Sequence, residues 1–103
     1  MPIFIKVLCL CLLVNFSVGC SHQTVVSGSF TVDKDDYDAS VRQLSERASF
    51  DLSCSKEKLS FIVLETFGGT MTFVKQMGIS GCGKKAVYIH HKETGWVLNS
   101  TQS

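Results

Sequence analysis

Gly78-Ile79-Ser80-Gly81-Cys82-Gly83-Lys84-Lys85-Ala86-Val87-Tyr88-Ile89 sets a cysteine between two glycines, follows it with two lysines and runs on with strand character. Its glycine-rich half reads as a turn over Gly78 to Gly83, and Ala86 to His91 as the strand that leaves it. Upstream, Cys54 stands at the end of a segment with helical periodicity. A link between Cys54 and Cys82 would tie the helix end to the turn, and the remaining chain can be read outward from that tie.

On the N-terminal side, Tyr37, Val41, Leu44, Ala48 and Leu52 recur at spacings of four, three, four and four. That is one apolar stripe of a helix over about Ala39 to Ser53. Arg42, Gln43, Glu46 and Arg47 fall off the stripe and are expected to face water. The acidic stretch Asp33-Lys34-Asp35-Asp36-Tyr37-Asp38 lacks the spacing and terminal glutamate of a calcium loop. It suits a helix start instead, with Asp36 or Asp38 as N-cap and the acids complementing the positive end of the helix dipole.

After Cys54, Leu59 to Phe67 places Leu59, Phe61 and Val63 on one face and Ile62 and Leu64 on the other, so both faces are expected to be at least partly covered. Gly68-Gly69 is a two-residue hairpin signal, because both positions tolerate positive φ. Thr70 to Met77 returns as a second strand. Ala86 to His91 is the third, and Glu93-Thr94-Gly95 turns the chain into Trp96-Val97-Leu98. The expected fold class is α+β: one helix packed on a four-stranded antiparallel meander, with a single disulfide.

The N-terminus reads differently. Met1 to Lys6 carries one positive charge, Val7 to Val14 is uninterrupted apolar sequence, and small residues lead to Val18-Gly19-Cys20. A positive start, a short apolar run and a small-residue exit describe an export signal, and the run is too short to span a bilayer. Ser17-Val18-Gly19-Cys20 resembles the lipobox of bacterial lipoproteins, with Ser17 where that pattern prefers leucine. The resemblance implies cleavage before Cys20, acylation of Cys20 and attachment to the membrane through the lipid. Ser21, rather than aspartate, resembles the sorting residue of lipoproteins sent to the outer membrane. The expected organisation is a lipoprotein-type signal over 1–19, a lipid-anchored tether over 20–33 and a small α+β domain over 34–103. Serine and threonine dominate the tether, and Ser29-Phe30-Thr31-Val32 alternates as a short edge strand within it.

Cysteine arithmetic follows from this. Cys9 and Cys11 leave with the signal and Cys20 takes the lipid, so of five cysteines only Cys54 and Cys82 remain. A lone pair in an exported small domain reads as a disulfide. It closes a segment of about 29 residues, worth roughly 3.6 kcal/mol on the chain-entropy model. A mature chain of about 84 residues is of a size at which one hydrophobic core is marginal. Lys6 also leaves with the signal. The ten Lys and Arg against nine Asp and Glu of the full chain then become an even balance, which argues against a nucleic-acid partner.

Arg47-Ala48, Asp51-Leu52, Cys54, Gly81-Cys82-Gly83-Lys84, Ala86, Tyr88 and Trp96-Val97-Leu98-Asn99-Ser100 together resemble a small domain of exported and lipid-anchored bacterial proteins. The likeness covers about Asp38 to Ser100. It implies an envelope location and an intradomain disulfide, and it implies no activity.

Gly78 followed by four residues and Gly83-Lys84 matches most of a phosphate-binding loop. Lys85 stands where Ser or Thr should hold magnesium, however, and a strand follows where a helix should open, so no nucleotide is expected. Cys54, Cys82, His90 and His91 are zinc-ligand types. Adjacent histidines on a strand point to opposite faces, and an oxidising compartment favours the disulfide, so no metal or other cofactor is expected. No Gly-x-Ser-x-Gly is present. Glu65 and Glu93 are single carboxylates. Lys84 and Lys85 read as soluble surface ahead of an anion site, and Trp96 as a hydrophobic filler ahead of a ligand-stacking residue. Two readings of function remain: a non-enzymatic envelope lipoprotein that binds another envelope protein or a cell-wall component, and a thiol-redox or metal-binding enzyme using Cys54 and Cys82.

Overall fold

The computed structural model describes residues 23–68 and 72–103. The expected export segment, Cys20, Gly69 of the expected hairpin turn, and Thr70 and Met71 of the expected second strand lie outside the described residues. The chain runs β1 (Thr24–Ser27), β2 (Phe30–Asp33), α1 (Lys34–Leu52), a short 3₁₀ turn (Lys56–Lys58), then β3 (Ser60–Phe67), β4 (Phe73–Gly81), β5 (Lys84–His91) and β6 (Gly95–Gln102). The last four strands form one antiparallel sheet in the order β3-β4-β5-β6, and β1 pairs with β2 in a separate hairpin. The fold is the α+β arrangement expected: one helix on a four-stranded meander, with a Cys54–Cys82 disulfide.

Helix α1 begins five residues earlier than its periodicity indicates, and its cap is neither Asp36 nor Asp38. Asp33 is the N-cap, its carboxylate accepting the Asp36 N–H at 3.0 Å. Asp36 is free for another role because it sits inside the first turn, where its Oδ2 accepts the Val74 N–H at 2.8 Å. Asp38 pairs with Lys34 one turn back, at 2.7 Å. The C-terminus closes in a Schellman pattern without glycine: Ser53 takes φ 49°, its N–H donates to the Phe50 carbonyl, and the Cys54 N–H donates to the Ser49 carbonyl. The apolar stripe lands where expected. Leu44, Ala48 and Leu52 are buried while Arg42, Gln43, Glu46 and Arg47 are exposed.

The stripe packs against the face of the sheet that carries Val63, Val74, Met77, Ile79, Ala86 and Tyr88, all buried. The opposite face has no covering layer among the described residues. Ile62 and Leu64 are 46% and 40% exposed there, so that face of β3 is partly covered, as expected, and less so than the face under the helix.

Residues 24–33 also differ from their reading as tether. Serine and threonine content resembled a linker, but Thr24↔Asp33 through Ser27↔Phe30 pair as a hairpin, and Val32 is fully buried. Polar residues in a strand are consistent with one face in water, and Val25, Phe30 and Val32 supply the inward face. The Ser27 hydroxyl accepts the Val63 N–H at 3.0 Å, which satisfies an edge amide of β3. The start of the hairpin is pinned as well, the Lys34 N–H donating to the Gln23 carbonyl at 3.1 Å.

The glycine-rich stretch is mostly strand. β4 continues through Gly78 to Gly81, and only Cys82 and Gly83 form the turn, with φ 53° and 75°. Two positive-φ residues give the tight hairpin that matches strand twist. Gly81 has a different purpose. A Cβ there would lie 3.0 Å from the Cys54 Sγ, a Leu59 methyl and the Lys58 carbonyl oxygen. Gly81→Ala is expected to destabilise the domain by about 1–3 kcal/mol, read as a lowered urea midpoint, because one of the three neighbours is backbone and cannot rotate away.

Candidate functional site

The disulfide spans a sequence separation of 28 with the two Cα atoms 5.8 Å apart. Cys54 belongs to the core and is 5% exposed, while Cys82 sits on an exposed hairpin tip. Lys84, just beyond the tip, donates from Nζ to the Leu52 carbonyl at 3.2 Å. The first lysine is therefore neither idle surface nor an anion site: it supplies positive charge to a helix C-terminus that has no basic residue of its own in the last turn. The near-match to a phosphate loop dissolves on the same geometry, because Gly78 is inside β4 and Lys84 opens a strand.

A second polar cluster fastens the C-terminal half of α1 to β5. The hydroxyl of Tyr88, a fully buried residue, donates to Asp51 Oδ2 at 2.6 Å, and the Arg47 guanidinium lies 5.6 Å over the Tyr88 ring. Burial, followed by the Asp51 carboxylate, raises the Tyr88 phenol well above its ordinary pKa of 10.0. The folded state thus holds a proton that the unfolded state releases. Stability contributed by Tyr88 is complete below about pH 10 and declines as pH rises above it. Tyr88→Phe is expected to flatten the fall in melting temperature between about pH 10 and 11 relative to wild type.

At the other end of the helix the packing opens. One wall of a cleft of about 600 Å³ is aromatic: Phe67 from β3, Phe73 from β4, His90 from β5 and Trp96 from β6. The facing wall is Asp36, Ala39, Ser40 and Gln43, which are spaced so as to share one helix face. Small and polar residues set against a row of rings cannot close the gap, whereas further along the same helix Leu44, Ala48 and Leu52 do. Lys92 stands beside the cleft in the turn between β5 and β6.

The rings are held rather than loose. His90 stacks edge-on to Trp96 with centroids 4.9 Å apart, and Phe67 to His90 at 6.5 Å. The Trp96 indole N–H donates to Gln43 Oε1 at 2.9 Å, and its carbonyl accepts from Arg47 at 2.5 Å. Trp96 packs on the margin of the core, as the filler reading expects, and it also lines the cleft.

His90 therefore belongs to an aromatic wall. His91 is exposed and, two positions past Ile89 on β5, lies on the opposite face. Among the described residues no three His, Cys, Asp or Glu side chains converge as metal ligands. The disulfide pairing and Trp96 were visible in sequence. Phe67, Phe73, Ser40 and Gln43 were not visible as a group, since nothing short of the sheet register brings them together. No helix among the described residues is long and apolar enough to cross a membrane. No protein-family model, no curated protein and no solved structure matches this chain.

Proposed function

We propose that the protein is a non-enzymatic bacterial envelope lipoprotein, and that its disulfide-stapled domain is a binding module. The anchoring half of this reading rests on the signal-like segment and the lipobox-like Ser17-Val18-Gly19-Cys20. Acylation of Cys20 would hold the domain at the outer membrane, each buried CH₂ contributing about 0.8 kcal/mol. The binding half rests on one observation: the cleft between α1 and the sheet end, walled by rings held in place and by hydrogen-bonding side chains. Groups of that kind orient and retain a ligand; the partner is a cell-wall component or another envelope protein.

A thiol-redox reading draws on the exposure of Cys82 at a hairpin tip. It requires the bridge to exchange readily with small thiols while the fold persists. The binding reading requires the bridge to resist mild reductant in the folded protein, its loss lowering stability. Thiol labelling of native protein at graded reductant separates the two.

Cys20→Ala is expected to shift the protein from the membrane fraction to the soluble fraction, or to leave it unprocessed. Intact mass of wild type from membranes should show loss of residues 1–19, added acyl mass and two hydrogens fewer than the reduced chain. A Cys20→Ala protein that is cleaved and remains in the membrane fraction would contradict lipid anchoring.

A further inference from the structure

We infer that the cleft between α1 and the aromatic wall is a saccharide-binding site, with the Trp96–His90 pair as the platform for a sugar ring and Gln43, Asp36 and Lys92 as its polar contacts. This rests on the binding-module reading above and names the ligand class.

The chemistry of the two walls selects among ligands. A volume of about 600 Å³ lies within the range of small-molecule sites and suits a few pyranose rings. An acyl chain would set the second oxygen of the Asp36 carboxylate and the Gln43 amide N–H groups against hydrocarbon. A quaternary ammonium suits an aromatic cage, but Lys92 beside the cleft offsets the Asp36 carboxylate that would attract it. An anion would meet the carboxylate of Asp36. A neutral polyhydroxylated ring meets neither objection, because it offers a C–H face to the rings and hydroxyls to both donors and acceptors.

The hydrogen-bonding capacity is present. Gln43 spends its Oε1 on the indole N–H, which leaves the amide Nε2 with its donors. Asp36 accepts the Val74 N–H through Oδ2, which leaves Oδ1 as an acceptor. Lys92 adds an ammonium donor. Trp96 is held by Gln43 at its indole and by Arg47 at its carbonyl, so little ordering is left for binding to impose. Cell-wall glycan and other envelope polysaccharides share this chemistry and differ in the N-acetyl group.

Trp96 is the sole tryptophan, so its fluorescence reports the cleft alone. Full-length protein in detergent would be titrated to about 10 mM with a β-1,4-linked N-acetylglucosamine trimer and, separately, a glucose trimer. The expected result is a saturable change in Trp96 emission with at least one trimer. Preference for the first points to cell-wall glycan and preference for the second to another polysaccharide. Gln43→Ala is expected to weaken binding about tenfold, the equivalent of about 1.4 kcal/mol. Ala39→Leu, which fills the cleft from a non-core position, should abolish it with the melting temperature retained. Absence of any response to both trimers would overturn the proposal, as would a response unchanged in both variants. Fractionation of Cys20→Ala scores anchoring independently, so an anchored protein that ignores sugars and a soluble one that binds them are told apart.

Discussion

Cys82→Ser is expected to lower unfolding free energy by about 2–5 kcal/mol, read as a shifted urea midpoint under non-reducing conditions. The bridge spans 28 positions and ties the end of α1 to the β4–β5 turn, so losing it releases an unfolded chain that was constrained across the helix end, β3 and β4. Cys54→Ser should cost at least as much. Cys54 is a core residue, and a hydroxyl in its place must find a hydrogen-bond partner among apolar neighbours. The double variant should match Cys54→Ser rather than the sum of the two, because a bridge can be removed only once. Wild type in excess reductant should approach Cys82→Ser. Reduced wild type with an unshifted midpoint would show that the bridge carries no stability.

Leu44→Ala is expected to destabilise the domain by about 2–5 kcal/mol, while Arg42→Ala stays within about 0.5 kcal/mol. Leu44 is fully buried at the middle of the stripe, among the apolar residues that α1 presses onto β4 and β5. Its truncation leaves a cavity between two rigid layers that cannot both move inward. Arg42, two residues earlier, is exposed and carries no ion pair among the described contacts. Equal losses for the two variants would mean that the helix presents a different face to the sheet.

The helix stripe was legible because α1 is long and repeats its apolar positions over Leu44, Ala48 and Leu52. Its start was not, because the true cap, Asp33, lies in a run of four aspartates any of which can cap a helix. The alternation of Ser29 to Val32 showed β2, but β1 and its pairing escaped notice because Thr24 to Ser27 carries little hydrophobic sequence, and the role of the hairpin is set by Val32 and by the Ser27 hydroxyl at a distant edge amide. Gly78 and Gly81 read as turn residues when their lack of a side chain serves close packing in a strand. At Gly78 a Cβ would come within 3.1 Å of Ile62 and Leu64. The cleft was the least legible feature. It draws one or two residues each from β3, β4, β5 and β6, and its existence depends on what α1 lacks opposite them.

The hairpin of residues 24–33 changes the length of the leash. A tether over 20–33 would let the domain roam several nanometres from its anchor. With Thr24 onward committed to strand and Gln23 bonded to the first residue of α1, acylation at Cys20 leaves only the backbone between Cys20 and Gln23, a reach of roughly 10 Å. That attachment point lies beside the first turn of α1, the same turn that contributes Asp36 to the cleft. A lipid-anchored domain built this way cannot search the space between membrane and wall. Anchored through Cys20, it would be moored close against the bilayer surface by the end that carries its cleft, and its ligands would be those that come within that short radius.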